Sequence, residues 1–282
     1  MALRLGKFPF LNCIPIYHAL ETGQVSCEVE IDFVSCFPAE LNKRLQVGQL
    51  DIGPISSVAY LEMTAECLIL PHLSISAPGQ VKSVILFSRV PIEKLNHQSL
   101  LLTSQSATSI ALLKLILTKR FGICPHYQKG ELLEANGEIV AGLAIGDTAL
   151  KLTAKRIYPY QLDLGKVWRE WTGLPFVFGL FAVRKTVWKK QRETVKRIWQ
   201  ALQASKKWGL SHLNTLAQLY SQKTTKVGSH IYTSTYLCHY WQHLDYELSS
   251  LHFKSLNLFF HYLREIGEIA SVPEIKVAPL ED

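Results

Sequence analysis

The chain has 282 residues, 48 % of them hydrophobic, which suffices for one large domain or two lobes around a normal core and excludes a disordered chain. Thirty Lys and Arg against 23 Asp and Glu give a net charge of +7, which favours an anionic partner: nucleic acid, an acidic membrane surface or a carboxylated small molecule. No apolar run approaches the ~20 residues of a membrane span, so a membrane-spanning helix is excluded.

A first strand, residues 3–5, runs into a loop stiffened by Pro9 and Pro15 with Asn12 at its tip, and a helix follows from about Ile14. An amide side chain held between two prolines is placed to face a ligand, because ligands in open α/β sheets bind beyond the carboxyl ends of the strands. Cys27, Val29, Ile31 and Phe33 alternate with polar residues and predict a half-exposed strand. Pro38 opens a helix over 39–47 that Gly48 stops. Residues 51–55 read as a short strand, after which Ser56 and Ser57 cap a helix through Met63. Strands are expected over 67–70, 83–88 and 100–103, then a long helix over 107–120. A strand over 140–145 ends in Gly146 and Asp147, and strands 158–162 and 176–183 complete the set. From Lys185 the pattern is helical almost to Ile269.

This alternation argues for an α/β chain whose sheets are covered by helices. Strands 83–88 and 176–183 lead from one block to the other and back. The expectation is therefore two lobes, 1–86 with 180–282 and 87–179, with a ligand in the cleft between them. The basic residues form no arm or tail; they are densest over 184–207, where Val195, Ile198, Trp199 and Leu202 mark an apolar helix face. A solvated helix face is expected there, rather than a nucleic-acid or membrane contact. The cysteines (13, 27, 36, 67, 124 and 238) include no CxxC pair, which fits a reducing compartment. The N-terminus enters a strand at once, without the apolar stretch of an export signal, so a cytoplasmic protein is expected.

Polar segments fall at several predicted strand ends: Asn12; Ser56 and Ser57; Ser74-Ile-Ser-Ala-Pro-Gly with Lys82 and Ser83; Thr103-Ser-Gln-Ser-Ala-Thr-Ser; and Gly146-Asp-Thr. Free amides at a helix N-terminus, joined by Ser and Thr hydroxyls, make an anion site without Lys or Arg; the alternative is that Ser104 or Ser106 only caps the helix. Asp147 either orients a hydroxyl or takes a proton, or it caps a helix starting at Thr148. His239, His243 and Glu247 are spaced by four, but three ligands spread over two helical turns cannot all reach one ion, so no metal site is expected. GxGxxG, P-loop and GxSxG patterns do not occur, and no cofactor is implied.

Taken in order, Gly6-Lys-Phe-Pro-Phe-Leu-Asn-Cys-Ile-Pro, Pro38-Ala-Glu-Leu-Asn, Leu50-Asp-Ile-Gly-Pro-Ile-Ser-Ser, Leu73-Ser-Ile-Ser-Ala, Ser83-Val-Ile-Leu-Phe-Ser, Leu102-Thr-Ser-Gln-Ser-Ala-Thr-Ser, Ile145-Gly-Asp-Thr-Ala-Leu, Asp163-Leu-Gly-Lys-Val-Trp and Trp171-Thr-Gly-Leu-Pro-Phe-Val-Phe form a series. Over residues 3–183 this series resembles the chorismate dehydratase family of the futalosine route to menaquinone; the helical tail follows it loosely, mainly at His243-Leu-Asp-Tyr. The resemblance implies a two-lobe type II periplasmic-binding-protein fold and a small-molecule substrate, chorismate. The implied reaction removes a C3 proton and the C4 hydroxyl, giving 3-[(1-carboxyvinyl)oxy]benzoate and water. It implies catalytic roles for Asn12 and Ser83, and carboxylate binding by Ser56, Ser57, Ser104, Ser106, Ala107 and Thr108. Asp147 or the enolpyruvyl carboxylate of the substrate itself is the candidate base. Three other readings stand beside it: the 1,4-dihydroxy-6-naphthoate synthase of the same route, an exported solute-binding protein, and a ligand sensor without turnover. The sequence leaves the oligomeric state open.

Overall fold

The computed structural model describes residues 2–132, 139–226 and 232–280, and its strands divide into two five-stranded mixed sheets. In the first sheet β1 (Leu3–Lys7) runs parallel between β2 (Ile31–Ser35) and β3 (Ile52–Ser56), with Leu3 opposite Ile31 and Leu5 opposite Ile52. β3 then pairs antiparallel with a later strand, Phe176–Arg184, which in turn pairs antiparallel with β4 (Cys67–Ala77). The second sheet holds β5 (Val84–Ser88), β6 (Ser99–Leu102), β7 (His126–Lys129), β8 (Ala141–Ile145) and β9 (Tyr160–Asp163), in the order β7-β6-β8-β5-β9. The remaining strand of the first sheet, Phe176–Arg184, is β10. β3, β5 and β8 are buried at every position, which is why they read as short apolar runs, whereas no residue of the edge strand β2 is fully buried.

Helices α1 (Ile14–Glu21) and α2 (Pro38–Val47) flank the first sheet, and Gly48 ends α2 in the left-handed region at φ 83°. α3 (Ala107–Leu115) runs on as a π-helical turn, Ile116–Phe121, and α4 (Gly146–Lys155) and α5 (Leu164–Thr172) complete the second lobe's helices. The tail supplies α6 (Lys185–Lys190), α7 (Arg192–Ser211), α8 (Leu213–Lys226), α9 (Ser234–Gln242) and α10 (Ser250–Glu265). α7 lies so close on α1 that a Cβ at Gly209 would stand 2.0 Å from the Pro15 carbonyl oxygen, so only glycine fits there. α10 packs against both β10 and α3, and its Ser255 accepts a hydrogen bond from the Trp168 indole of α5 at 3.0 Å. One apolar core accordingly spans both lobes, with a satellite cluster around Phe87, Leu132 and Tyr158 on the second sheet.

Several boundaries differ from expectation. The strands expected to cross between lobes each pair along their whole length with one sheet only: β5 with β8 and β9, β10 with β3 and β4. Sheet membership therefore changes within 78–83 and 173–175, not inside strands at 86 and 180. β4 continues to Ala77 because Pro71 and His72 (φ 57°) form a bulge rather than an end. Ser74 and Ser76 are buried in that strand, where Ser76 exchanges backbone bonds of 2.8 Å with Asp245. Residues 243–249 interrupt the helical tail for this pairing, so Glu247 lies outside α9 and pairs with Lys206, away from His239. β7, polar and exposed, went unpredicted.

Candidate active site

After β1 the chain turns through Phe8 and Phe10 into one 3-10 turn, Leu11–Cys13, that leads straight into α1. Leu11 and Cys13 are buried, so the residue between them points the other way, and Asn12 lines a cleft between the two sheets. The Asn12 Oδ1 is buried without a partner in the protein. Its backbone is pinned on three sides. The Leu11 amide donates to the Asp147 carboxylate, the Leu11 carbonyl accepts from the Trp241 indole at 2.8 Å, and the Asn12 carbonyl accepts from the Tyr246 hydroxyl at 2.9 Å.

Ser83 faces Asn12's cleft from the segment between β4 and β5. This segment is held in an unusual shape, with Lys82 at φ 62°. The cause is Asp163, whose carboxylate accepts from the amides of Val81 (3.1 Å) and Lys82 (2.7 Å) while capping α5 through the amide of Lys166 (3.0 Å). Burial pushes the Asp163 carboxyl up in pKa, and the backbone amides oppose that. The Ser83 carbonyl accepts from the Gly146 amide at 2.7 Å, and Ser83 Oγ accepts from the Tyr240 hydroxyl at 3.0 Å.

Ser56 at the end of β3 and Ser106 at the start of α3 close the polar side of the cleft. Ser56 is oriented by Asn42 of α2, which accepts from its amide at 3.2 Å. Ser106 is the N-cap of α3: its Oγ accepts from the Ser109 amide at 3.3 Å and lies 2.9 Å from the Ser109 hydroxyl, which also lines the cleft. The opposite walls are the rings of Phe8, Phe10 and Phe178. Gly146 sits at φ 55° beside Phe10, where a Cβ would strain the backbone and press on the ring from 3.1 Å. The cavity between these walls is about 50 Å³, narrow by the standard of small-molecule sites. No ionisable side chain is among the described residues that line it.

Of the residues expected at the site, Asn12, Ser56, Ser83 and Ser106 meet in this cleft. The others are placed elsewhere. Ser57 is fully buried and donates to the Val177 carbonyl at 2.8 Å, because neighbours in an extended chain face opposite sides; it caps no helix. Ser104 is exposed, with its amide on Glu131. Ala107 is exposed in the first turn of α3. Thr108 accepts from the Val58 amide at 3.1 Å, a bond that joins the first lobe to the second. Asp147 sits within the first turn of α4, which begins two residues earlier than expected, and lies behind the Asn12 turn rather than on the cleft wall. Burial pushes its carboxyl up to about 6, against the pull of the Leu11 amide, and its Oδ1 has no hydrogen-bond partner. Lys82 projects into an adjacent groove with Gln80, Asp163 and Lys166. The sequence reading gave no site role to Ser109, Asp163 or the aromatic trio of Tyr240, Trp241 and Tyr246, although Ser109, Asp163 and Tyr246 stand in segments it singled out. Only Asp163 carried a visible signal, an Asp just ahead of a helical run.

Known proteins are similar to this chain in sequence or in fold. A chorismate dehydratase of Thermus thermophilus is 31 % identical over 261 residues, covering 86 % of this chain and 89 % of its own. A 1,4-dihydroxy-6-naphtoate synthase of the same organism is 27 % identical over 212 residues, 75 % of each chain. Among solved structures, a Candida albicans protein described as having the generic periplasmic binding protein fold superposes with a TM-score of 0.70 at 12 % identity, covering 98 % of this chain and 93 % of its own. The two helix-covered sheets with a cleft between them are thus a periplasmic-binding-protein fold. The sequence model for menaquinone biosynthesis matches residues 3–265, and the chain belongs to that family.

Proposed function

We propose that the chain dehydrates chorismate to 3-[(1-carboxyvinyl)oxy]benzoate. The observation that carries this is the meeting of Asn12, Ser83 and the Ser106-capped start of α3 in one uncharged, phenyl-walled cleft. A ring acid suits it: the ring lies against Phe8, Phe10 and Phe178, and a carboxylate takes the free amides and hydroxyls at the α3 N-terminus. The +7 net charge of the chain favours entry of such a dianion.

In this reading the C3–H and C4–O bonds break, the C3 electron pair enters the ring, and the C4 hydroxyl leaves with a proton as water. Aromatisation drives the step, so the protein's work is to hold the substrate and stabilise the departing oxygen. Asn12 offers its amide to a substrate carboxylate or to the C4 hydroxyl, and Ser83 hydrogen-bonds the reacting region. With Asp147 behind the Asn12 turn, the enolpyruvyl carboxylate, close to C3 in the substrate itself, is our candidate base. The six free thiols suit a reducing compartment, and we take the cytosol as the site of action.

Incubating the purified protein with chorismate tests the reading by ultraviolet absorbance and mass. A product lighter by one water is expected. Binding without conversion would make the protein a sensor, and neither binding nor conversion would point to the naphthoate synthase reaction or another substrate.

A further inference from the structure

Ser83 is a catalytic candidate with an ambiguity that its own loop leaves open. A serine hydroxyl holds one proton and can accept as well as donate, and it rotates to suit its surroundings. Within its segment the Ser83 hydroxyl reaches only the Val81 carbonyl, at a long 3.4 Å. A bond that long restrains the rotor weakly. The strong partner comes from the far tail: the hydroxyl of Tyr240 on α9, 3.0 Å from Ser83 Oγ and buried with the whole of its ring.

We infer that Tyr240 is a positioning residue for Ser83: by donating its own proton to Ser83 Oγ, it fixes that hydroxyl as a donor toward the ligand in the cleft. Resting on the proposed dehydration, this gives Ser83 a definite polarity, that of a proton donor to a substrate oxygen. Two observations support the direction of the bond. Ser83 Oγ stands between Tyr240 behind it and the open cleft in front, so its remaining proton has the long Val81 contact or a ligand as its alternatives. Burial also pushes the Tyr240 hydroxyl far above its ordinary value, so it keeps its proton across the working pH range. The helix that carries Tyr240 is anchored next door, where Trp241 donates to the Leu11 carbonyl, so the phenol is held by the same element that pins the Asn12 turn.

Tyr240→Phe removes the proton and keeps the ring, and a cycle with Ser83→Ala separates positioning from structure. In the full chain, Y240F is expected to lower kcat with chorismate about tenfold at nearly unchanged KM, and to change turnover less than about twofold in the S83A background. An equal loss in both backgrounds, or no loss in either, overturns the inference. Should the parent chain not convert chorismate, the dehydration reading falls, and the pair is judged by thermal unfolding instead. There Y240F should lower Tm by about 2–4 °C in the parent chain but leave it unchanged or raised in the S83A background, since S83A alone strands a buried phenol. Additive Tm shifts would overturn the pair as well.

Discussion

The indole Nε1 of Trp241 donates to the carbonyl oxygen of Leu11 at 2.8 Å, joining residues 230 apart in sequence at the turn that presents Asn12. Trp241→Phe keeps most of the buried ring area and leaves that carbonyl with the Ile14 amide alone. A stability loss of about 0.5–1.5 kcal/mol is expected from urea unfolding. Turnover should fall about tenfold as Asn12 loses its placement, with KM changing less than kcat. A variant with full turnover and lowered stability would show that Tyr246 and Asp147 hold the turn without Trp241.

Asn12 itself should behave in the opposite way. Its Oδ1 is buried and unpartnered, so the amide contributes nothing to folding that an apolar group could not. Asn12→Ala is expected to leave Tm unchanged or slightly raised while lowering kcat about 10²–10³-fold, the scale of one removed transition-state donor. Circular dichroism melting alongside steady-state kinetics distinguishes this trade from simple misfolding.

Asp147 carries a pH-dependent cost. Its folded-state carboxyl is pushed up to about 6 from an ordinary 3.8, so between those values the folded chain binds more protons than the unfolded one, and stability falls as pH rises through the window. At about 1.36 kcal/mol per pKa unit the penalty above the window is roughly 3 kcal/mol. Asp147→Asn should therefore stabilise the protein at neutral pH and lose that advantage below the ordinary carboxylate range. If the substrate supplies its own base, D147N also retains turnover within about threefold; abolished turnover with intact binding would assign the proton to Asp147.

Asp163 is the hinge of the Ser83 segment. Asp163→Ala removes the acceptor of the Val81 and Lys82 amides and the cap of α5 together, at an expected cost of about 2–4 kcal/mol. Without that grip Lys82 has no reason to keep its left-handed backbone, and Ser83 should drift. Kinetics of D163A at a temperature where it is still folded should show a kcat loss comparable to that of Ser83→Ala.

What could be read in the residues was local. Pro38 and Gly48 bound α2 as expected, since a proline at a helix start and a left-handed glycine at its end act through their own backbones. Asn12 was legible for a similar reason, being an amide between two prolines. Of the Ser56 and Ser57 pair only Ser56 lines the cleft, because a strand's period of two turns its neighbour to the other face. Pro71 masked the length of β4, because a bulge and a strand end use the same residue types. The aromatic braces were illegible, as a buried Tyr on a helix is ordinary core until its partner across the fold is known.

Those braces set an order of events. The Ser83–Tyr240 bond closes a separation of 157 residues, and the Asn12–Tyr246 bond one of 234. Contacts so remote in sequence carry a large loop-closure entropy, so they are expected to form late in folding. A chain arrested before α9 would own every wall of the cleft and none of the struts behind it. It would be a vessel of the right shape in which Ser56 and Ser106 are already held while the Ser83 hydroxyl still lacks its phenol.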